Sequence, residues 1–168
     1  MKDNQDLLAC GPASTVLLSQ REPPHRILVV DDESSIRQLS TEVLIHSGYV
    51  VEAAEDGAAA WQALSADRYD LLITDHNMPK VTGVELLKKL RAARMDLPVI
   101  LVSGAMPTEE LNRHPWLQLA ATLLKPFTPD ELLGTVQEVL RVTDYARQPI
   151  AQPPSWQSQP SADRLQLL

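Results

Sequence analysis

Six polar residues follow short apolar runs of the sequence, and their side chains are of types that handle anions and divalent cations. These residues are Asp31, Asp32, Glu33, Asp75, Ser103 and Lys125. Carboxylate and hydroxyl oxygens are the ligands that a hard cation such as Mg²⁺ prefers, and a lysine ammonium pairs with a carboxylate or a phosphate. Brought together by a fold, such a set holds a metal ion beside a phosphoryl group.

Each of these residues has a simpler structural interpretation when it is taken alone. An acidic pair such as Asp31 and Asp32 favours a helix N-terminus, where the helix dipole stabilises negative charge, and Asp75 or Ser103 can serve in a turn. As a cluster they are harder to explain, because two carboxylates about 4 Å apart repel each other by roughly 4 kcal/mol at an effective dielectric constant of 20. A hard cation removes this repulsion and Lys125 balances the rest, so the cluster indicates a phosphoryl site.

The elements that position these residues are five apolar runs that alternate with five helical patterns. The runs are expected to be buried parallel strands and cover residues 27–30, 49–51, 69–74, 98–102 and 121–124. The helices are expected to run from Ser34 or Ser35 to Gly48 and over residues 56–66, 83–94, 108–112 and 128–141. Alternating strands and helices predict an α/β fold with a doubly wound, five-stranded parallel sheet. Such sheets bind ligands at the carboxyl ends of their strands, where the six polar residues stand.

Two of the helices carry specific expectations. In the first helix Ile36, Leu39 and Val43 fall on one side, which predicts the side that faces the core. The fourth helix is expected to be weak, with about two turns, because Pro107 and Pro115 bound it and its apolar residues show little periodicity.

Composition limits the classes of function. The chain has 168 residues, of which 44% are hydrophobic, enough for one globular domain. Its formal net charge is −7 and it has no dense Lys/Arg cluster, so a nucleic-acid partner is not expected. No apolar run approaches the ~18 residues of a membrane span, and the single cysteine, Cys10, excludes an intramolecular disulfide. We therefore expect a cytoplasmic protein with no membrane partner.

Three regions are expected along the chain. Residues 1–25 are predicted to form a flexible N-terminal leader, and residues 26–142 a single domain. Residues 143–168 are rich in Pro, Gln and Ser, a composition typical of an extended C-terminal tail rather than of a second domain. Trp156 and residues 165–168 are either a small docking motif or part of a mobile end.

Four motifs resemble those of the receiver domains of two-component response regulators. They are Val29-Val30-Asp31-Asp32-Glu33, Thr74-Asp75-His76-Asn77-Met78-Pro79 with Gly83 after it, Val102-Ser103-Gly104-Ala105, and Lys125-Pro126-Phe127. The resemblance covers about residues 26–142, with every motif in order. It implies a flavodoxin-like strand order 2-1-3-4-5. It also implies a phosphorylation switch that acts through protein–protein contacts rather than as an enzyme.

The resemblance further implies a magnesium site. Asp32 and Asp75 hold Mg²⁺ together with the backbone carbonyl of Asn77, and Asp31 contributes through a water molecule. Carboxylates, a carbonyl and waters form the all-oxygen set that Mg²⁺ requires. Gly83 is expected to serve the backbone geometry of the loop after the predicted nucleophile.

The same resemblance implies the phosphoryl chemistry. Asp75 accepts the phosphoryl group from a phosphohistidine of a histidine kinase or histidine phosphotransfer protein. Lys125 pairs with the phosphoryl oxygens, and Ser103 donates a hydrogen bond to one of them after transfer. The Lys125–Pro126 bond is expected to be cis, since X-Pro bonds make that form accessible.

Two features depart from the common receiver pattern. Thr122 stands three positions before Lys125, where many receivers carry an aromatic residue, and the fourth helix is short. Both lie on the face that changes conformation on phosphorylation in common receivers. The residues expected to bind the phosphoryl group are all present, whereas those expected to transmit the change are not. This pattern resembles receivers attached to hybrid histidine kinases, or free-standing ones that pass on or absorb phosphoryl groups. In the alternative interpretation Thr122 is a neutral substitution and another side chain performs the switch.

Two other functions remain as alternatives. A hydrolase of the haloacid-dehalogenase type also pairs an aspartate with Mg²⁺, but that class usually places a second acid two residues after its nucleophile, where this chain has Asn77. A non-phosphorylated binding scaffold would keep the fold without using the site. The downstream protein is not specified by the sequence, and a homodimer through the last two helices is a further hypothesis. His76, beside the predicted nucleophile, is expected to face solvent.

Overall fold

The computed structural model describes residues 23–147, which form one five-stranded sheet covered by helices. The strands are β1 (Arg26–Val30), β2 (Val50–Ala54), β3 (Leu71–Asp75), β4 (Val99–Ser103) and β5 (Ala121–Leu124). The helices are α1 (Ser34–His46), α2 (Gly57–Ala66), α3 (Gly83–Ala92), α4 (Thr108–Arg113) and α5 (Pro129–Arg147). All strand pairs are parallel, in the order β2-β1-β3-β4-β5. The predicted doubly wound α/β fold and its strand order are confirmed.

The three central strands are buried because helices cover both faces of the sheet. All residues of β3 and β4 are buried. Successive side chains of a strand point to opposite faces, so the two faces have separate cores. Leu28 and Leu72 belong to the core beneath α2 and α3, whereas Ile27 and Leu71 belong to the core beneath α1 and α5. Burial on both faces explains why these strands appear in the sequence as continuous apolar runs.

The register of the sheet brings the ends of four strands to one edge. Thr74 lies opposite Val30 across β3 and β1. Ser103 lies opposite Leu124 across β4 and β5, and Asp75 is the last residue of β3. Residues that end or follow β1, β3, β4 and β5 therefore emerge side by side at the carboxyl edge of the sheet.

Two elements are longer than the sequence pattern predicts. β2 continues to Ala54 because it pairs with β1 along its whole length, although its alanines carry little strand signal. α5 continues to Arg147, beyond the predicted end near residue 141. Val142 and Tyr145 in its last turns are exposed, so the apolar periodicity that marks a helix in a sequence fades before this helix ends.

One predicted core contact of α1 is wrong. Leu39 is 46% exposed, whereas Ser40 and Leu44 are the buried residues of this helix. The buried side includes a serine, so the apolar pattern alone indicated the neighbouring leucine. The side of α1 that faces the sheet is therefore rotated from the stripe of apolar residues that the sequence suggests.

The fourth helix is as short as predicted. α4 has six residues, none of them buried, and a 3-10 turn over Pro115–Leu117 follows it. Leu117 is 1% exposed and anchors this turn in the core. The Arg91 side chain on α3 donates a hydrogen bond from Nε to the Leu117 carbonyl at 2.9 Å. The connection between β4 and β5 is held mainly by Leu117 and Arg91, with Leu111 and Leu119 packed at the edge of the core.

Most of the predicted leader and tail lies outside the described residues. The structure says nothing of residues 1–22 and 148–168, which include Trp156. The boundaries of the leader and the tail stay predictions. No helix within residues 23–147 is long and apolar enough to cross a membrane.

Candidate functional site

A lysine joins two buried carboxylates at the carboxyl edge of the sheet. Lys125, directly after β5, places its Nζ 2.6 Å from Oδ1 of Asp75 and 2.8 Å from Oδ2 of Asp31. Both aspartate side chains are 5% exposed, and the lysine side chain is 21% exposed. The three residues come from the ends of three different strands, so the register of the sheet assembles them.

The other oxygen of each carboxylate is held by the loop that begins at that aspartate. Oδ1 of Asp31 accepts a hydrogen bond from the Glu33 backbone N–H at 2.9 Å. Oδ2 of Asp75 accepts one from the Asn77 backbone N–H at 2.6 Å. Short local bonds of this kind are typical of aspartates in turns. Each carboxylate is therefore fixed at both oxygens, which orients it in advance for a reaction.

Burial and the lysine act in opposite directions on the charges of this cluster. Burial raises the pKa of the Asp31 carboxyl above its usual value, and the hydrogen bond from Lys125 offsets this only in part. Burial alone would lower the pKa of the Lys125 ammonium, but its hydrogen bonds to Asp31 and Asp75 raise that pKa overall. One firmly held positive charge thus faces two carboxylates. The cluster retains an excess of negative charge that a cation can neutralise.

The hydroxyl of Ser103 is turned towards its own loop. Ser103 is fully buried. Its Oγ donates a hydrogen bond to the Ala105 carbonyl at 2.5 Å and accepts one from the Ala105 N–H at 3.2 Å. The Ser103 carbonyl accepts a hydrogen bond from the Lys125 N–H at 2.9 Å. The backbone of Ser103 is therefore tied to the segment that carries the lysine.

Asp32 and Asn77 lie at the exposed rim of the cluster. Asn77 contributes its backbone N–H to Asp75, whereas the Asp32 carboxylate forms neither a hydrogen bond nor an ion pair with residues 23–147. In this part of the chain no three His, Cys, Asp or Glu side chains are grouped closely enough to hold a metal ion by themselves. The fold thus brings Asp31, Asp75 and Lys125 together and leaves Asp32 free at the rim.

The loop after β3 approaches the strand so closely that position 83 requires glycine. A Cβ on Gly83 would collide with the backbone carbonyl oxygen of Asp75 and crowd the Leu101 side chain. The Gly83 N–H also donates a hydrogen bond to the His76 carbonyl at 3.1 Å. The backbone role predicted for Gly83 is confirmed.

Two residues near the site differ from what the sequence indicates. The Arg37 side chain on α1 donates a hydrogen bond from Nη1 to the Asp31 carbonyl at 2.6 Å, and no sequence motif marks that contact. His76 was expected to face solvent, but its Nδ1 is buried and has no hydrogen-bond partner among residues 23–147. The backbone N–H of His76 donates a hydrogen bond to the Val102 carbonyl at 2.8 Å. This bond extends the pairing of β3 with β4 and draws the histidine inwards.

The segment around β5 carries the remaining predicted features. The Lys125–Pro126 peptide bond is cis, as predicted. Thr122 is exposed on β5, and Leu124 is 54% exposed. The exposed side of β5 therefore carries a threonine and a leucine.

A flavodoxin-like sheet with aspartates, a serine and a lysine at its carboxyl edge defines the receiver class of signalling domain. The family model of the response regulator receiver domain matches residues 27–137. The chain belongs to this family, whose members take part in two-component signalling and interact with histidine kinases. Receiver domains are in general signalling domains rather than conventional enzymes.

Relatives of known family support the assignment. Response regulator MprA of Mycobacterium ulcerans is 38% identical over 120 residues, which are 70% of this chain and 51% of the relative. Response regulator MprA of Mycobacterium tuberculosis (strain ATCC 25177 / H37Ra) is also 38% identical over 120 residues, with the same coverage. The chain therefore spans about half the length of the curated relatives it matches.

Solved structures of receivers have the same fold. Chemotaxis response regulator CheY4 of Vibrio cholerae has a TM-score of 0.65 and 34% identity, covering 70% of this chain and 99% of that one. Response regulator TrrA of Thermotoga maritima, solved in complex with Mg(2+)-BeF, has a TM-score of 0.61 and 35% identity. That match covers 68% of this chain and 98% of TrrA.

Proposed function

We propose that the chain is a phosphoacceptor of a two-component or phosphorelay system, which receives a phosphoryl group on Asp75 from a phosphohistidine of a partner. The observation that carries this proposal is the contact of one lysine, Lys125, with two buried carboxylates. Buried carboxylates cost stability unless they are fully paired, and here one positive charge serves two. A function that adds a cation and an anionic group at this edge accounts for the imbalance.

In the proposed reaction a carboxylate oxygen of Asp75 attacks the phosphorus of the phosphohistidine. The new O–P bond forms as the P–N bond breaks, and the imidazole nitrogen keeps the electron pair and takes up a proton. Phosphoryl transfer needs positioning and charge stabilisation more than covalent help. The Asn77 N–H orients the nucleophile, and the Lys125 ammonium, 2.6 Å from Asp75, supplies positive charge for the phosphoryl oxygens.

Ser103 is proposed to report the transfer. Its hydroxyl is held by the Ala105 backbone at 2.5 Å and 3.2 Å. To donate a hydrogen bond to a phosphoryl oxygen on Asp75, it has to exchange these partners, which moves the loop after β4. That loop leads directly to α4, whose six residues include none that is buried. A segment held by so few core contacts is easily displaced.

The residues at this edge fit Mg²⁺. Asp32, Asp75 and the backbone carbonyl of Asn77 would hold the ion, with Asp31 acting through water. Mg²⁺ keeps several waters and needs only one or two protein carboxylates as direct ligands, a role that Asp32 and Asp75 would supply. When bound, it neutralises charge on the carboxylates and on the transferred group. TrrA, 35% identical to this chain, was solved in complex with Mg(2+)-BeF.

The phosphodonor is proposed to be a histidine kinase or a histidine phosphotransfer protein, and the output a contact with a downstream protein. The short α4 and the exposed Thr122 favour a receiver that passes on or absorbs phosphoryl groups. Thr122 as a neutral substitution remains the alternative. The cytoplasmic location, the lack of a nucleic-acid partner and the homodimer stay predictions.

Phosphorylation from a small donor tests the proposal. The wild-type chain and Asp75→Asn are incubated with phosphoramidate, with Mg²⁺ or with EDTA, and their intact masses are measured. We expect one phosphate-sized mass gain in the wild type that requires Mg²⁺ and is absent from Asp75→Asn. Asp96→Asn is the matched control, because Asp96 is an exposed aspartate between α3 and β4, at the other end of the sheet. This variant should be labelled like the wild type.

Two results would contradict the proposal. A phosphate-sized mass gain that persists in Asp75→Asn would show that another residue accepts the phosphoryl group. No gain in a folded wild-type chain, combined with a failure to bind beryllofluoride, would favour the non-phosphorylated scaffold.

A further inference from the structure

An apolar groove lies between β5 and α5, and the proposed function does not use it. Its volume is about 610 Å³. Most of its lining residues are small or aliphatic, but three threonines and Glu138, which pairs with Arg141, also line it. A Cβ on Gly134 would meet no atom within 4 Å, so the groove is open at the helix backbone. A space of this size is sufficient for a large aromatic side chain.

Exposed apolar side chains occur on both elements that form the groove. Leu124 at the end of β5 is 54% exposed, and Val142 and Tyr145 on α5 are 53% and 79% exposed. Single exposed apolar residues are ordinary on a protein surface, but several on the two elements that border an apolar groove favour a binding site. Among residues 23–147, β5 is an edge strand that pairs with β4 alone. No other part of residues 23–147 fills the groove.

We propose that this groove binds the indole of Trp156, which belongs to the segment of the same chain that follows α5. Trp156 comes nine positions after Arg147, the last residue of α5. Nine extended residues span up to about 30 Å. The helix between Gly134 and Arg147 is only about 20 Å long, so Trp156 can reach every part of the groove.

The composition of this segment suits the groove. Pro149 disfavours a continuation of α5, because proline lacks the N–H that the helix requires. Residues 148–156 contain no charged side chain, so burying part of the segment leaves no charge unpaired. A short tether also gives the indole an effective concentration in the millimolar range. Weak apolar contacts are therefore enough to populate the bound state.

The groove also offers acceptors for the indole N–H, which usually needs a partner when it is buried. The Thr135 hydroxyl donates to the Glu131 carbonyl at 2.7 Å, and its oxygen retains acceptor capacity. Thr122 contributes a second hydroxyl on the strand side. A largely apolar groove that also contains the hydroxyls of three threonines suits tryptophan better than a purely aliphatic side chain.

Fluorescence of the full-length chain tests this inference without involving phosphorylation. The sequence has three tryptophans, so in a Trp61→Phe/Trp116→Phe variant Trp156 is the one that remains. We expect its emission to be blue-shifted and poorly quenched by acrylamide. Gly134→Leu, which fills the groove where a Cβ has open space, should shift the emission to that of a solvated indole. Gln137→Leu adds the same side chain at an exposed position of α5 outside the groove and should leave the emission unchanged.

Backbone amide NMR provides a second readout that needs no change to the other tryptophans. Trp156→Ala should shift the amide signals of residues 120–122 and 134–143, whereas Trp116→Ala, which alters an exposed tryptophan near α4, should not. Shifts confined to residues after 147 would overturn the inference. So would a blue shift that depends on protein concentration and disappears with a sedimenting dimer, because a second copy would then occupy the groove. None of these outcomes depends on Asp75 or on Mg²⁺.

Discussion

The two edges of the sheet use charge in opposite ways. At the carboxyl edge, one lysine faces two carboxylates whose side chains are 5% exposed. At the amino edge, charges are paired while remaining open to solvent: Arg26 lies 3.4 Å from Asp67, and Arg147 lies 3.4 Å from Asp70, with side-chain exposures of 34–53%. Charge that is buried and incompletely paired marks the candidate site. Charge that is exposed and paired adds little beyond solubility.

Two ion pairs with the same distance are therefore expected to contribute very differently to the stability of the fold. The Lys125 ammonium lies 2.8 Å from Asp31, and the Lys88 ammonium lies 2.8 Å from Glu110. In the first pair the carboxylate is 5% exposed, and in the second it is 36% exposed. Distance alone therefore does not rank these pairs, and the loss of solvation has to be included.

The largest expected effect is that of Lys125→Met in EDTA. Removal of the lysine leaves Asp31 and Asp75 buried together without a counter-charge, and breaking a buried pair in this way costs about 3 kcal/mol or more. Because the lysine side chain is 21% exposed, we expect a loss of about 2 kcal/mol in the free energy of unfolding, measured by urea denaturation. Lys88→Met is the matched control and should cost less than about 1 kcal/mol. Equal losses would contradict the distinction between the two kinds of pair.

The fold of this protein and the core of its candidate site are predictable from the sequence, whereas several contacts around the site are not. The fold and the convergence of Asp31, Asp75 and Lys125 are predictable, because apolar runs define parallel strands and parallel strands end at one edge. The side of α1 that faces the core cannot be predicted, because a buried Ser40 interrupts its apolar pattern. The hydrogen bond from Arg37 cannot be predicted either, because its acceptor is a backbone carbonyl that any residue could supply.

Substitution of Gly83 should have the next largest effect. In Gly83→Ala the added Cβ collides with the Asp75 carbonyl, a backbone atom that cannot rotate away. Overpacking of this kind costs about 1–3 kcal/mol, and the strain falls on the residue that is proposed to accept the phosphoryl group. We expect a lower urea midpoint together with slower phosphorylation. Gly134→Ala is the control, because a Cβ there meets open space; it should be neutral or stabilising.

Asp31→Asn should stabilise the protein when divalent ions are absent. Burial raises the pKa of Asp31, which means that the ionised carboxylate is less favourable in the folded state than in the unfolded one. The resulting penalty is absent below the unfolded pKa, grows as the pH rises from the unfolded to the folded pKa, and is complete above the folded pKa. The asparagine removes it, so we expect a gain of about 1 kcal/mol at pH 7.

Two controls sharpen the Asp31→Asn prediction. At a pH below the unfolded pKa the gain should disappear, since both proteins are then neutral at this position. Addition of Mg²⁺ should stabilise the wild type more than the variant, because a ligand stabilises the state that binds it. A variant that is less stable than the wild type in EDTA at pH 7 would show that the bond to Lys125 outweighs the burial of the carboxylate.

The smallest effect is expected at the amino edge, with Arg147→Met. Its guanidinium lies 3.4 Å from the Asp70 carboxylate, with side-chain exposures of 51% and 34%. Exposed pairs contribute about 0–1 kcal/mol, and salt screens them. Asp70 is also held by the Arg26 backbone N–H at 2.9 Å, so it keeps a partner when the arginine is lost. We therefore expect a loss below about 0.5 kcal/mol at low salt, and none at high salt. A loss as large as that of Lys125→Met, unchanged by salt, would mean that the amino edge is as poorly solvated as the carboxyl edge, and the contrast between the two edges would fail.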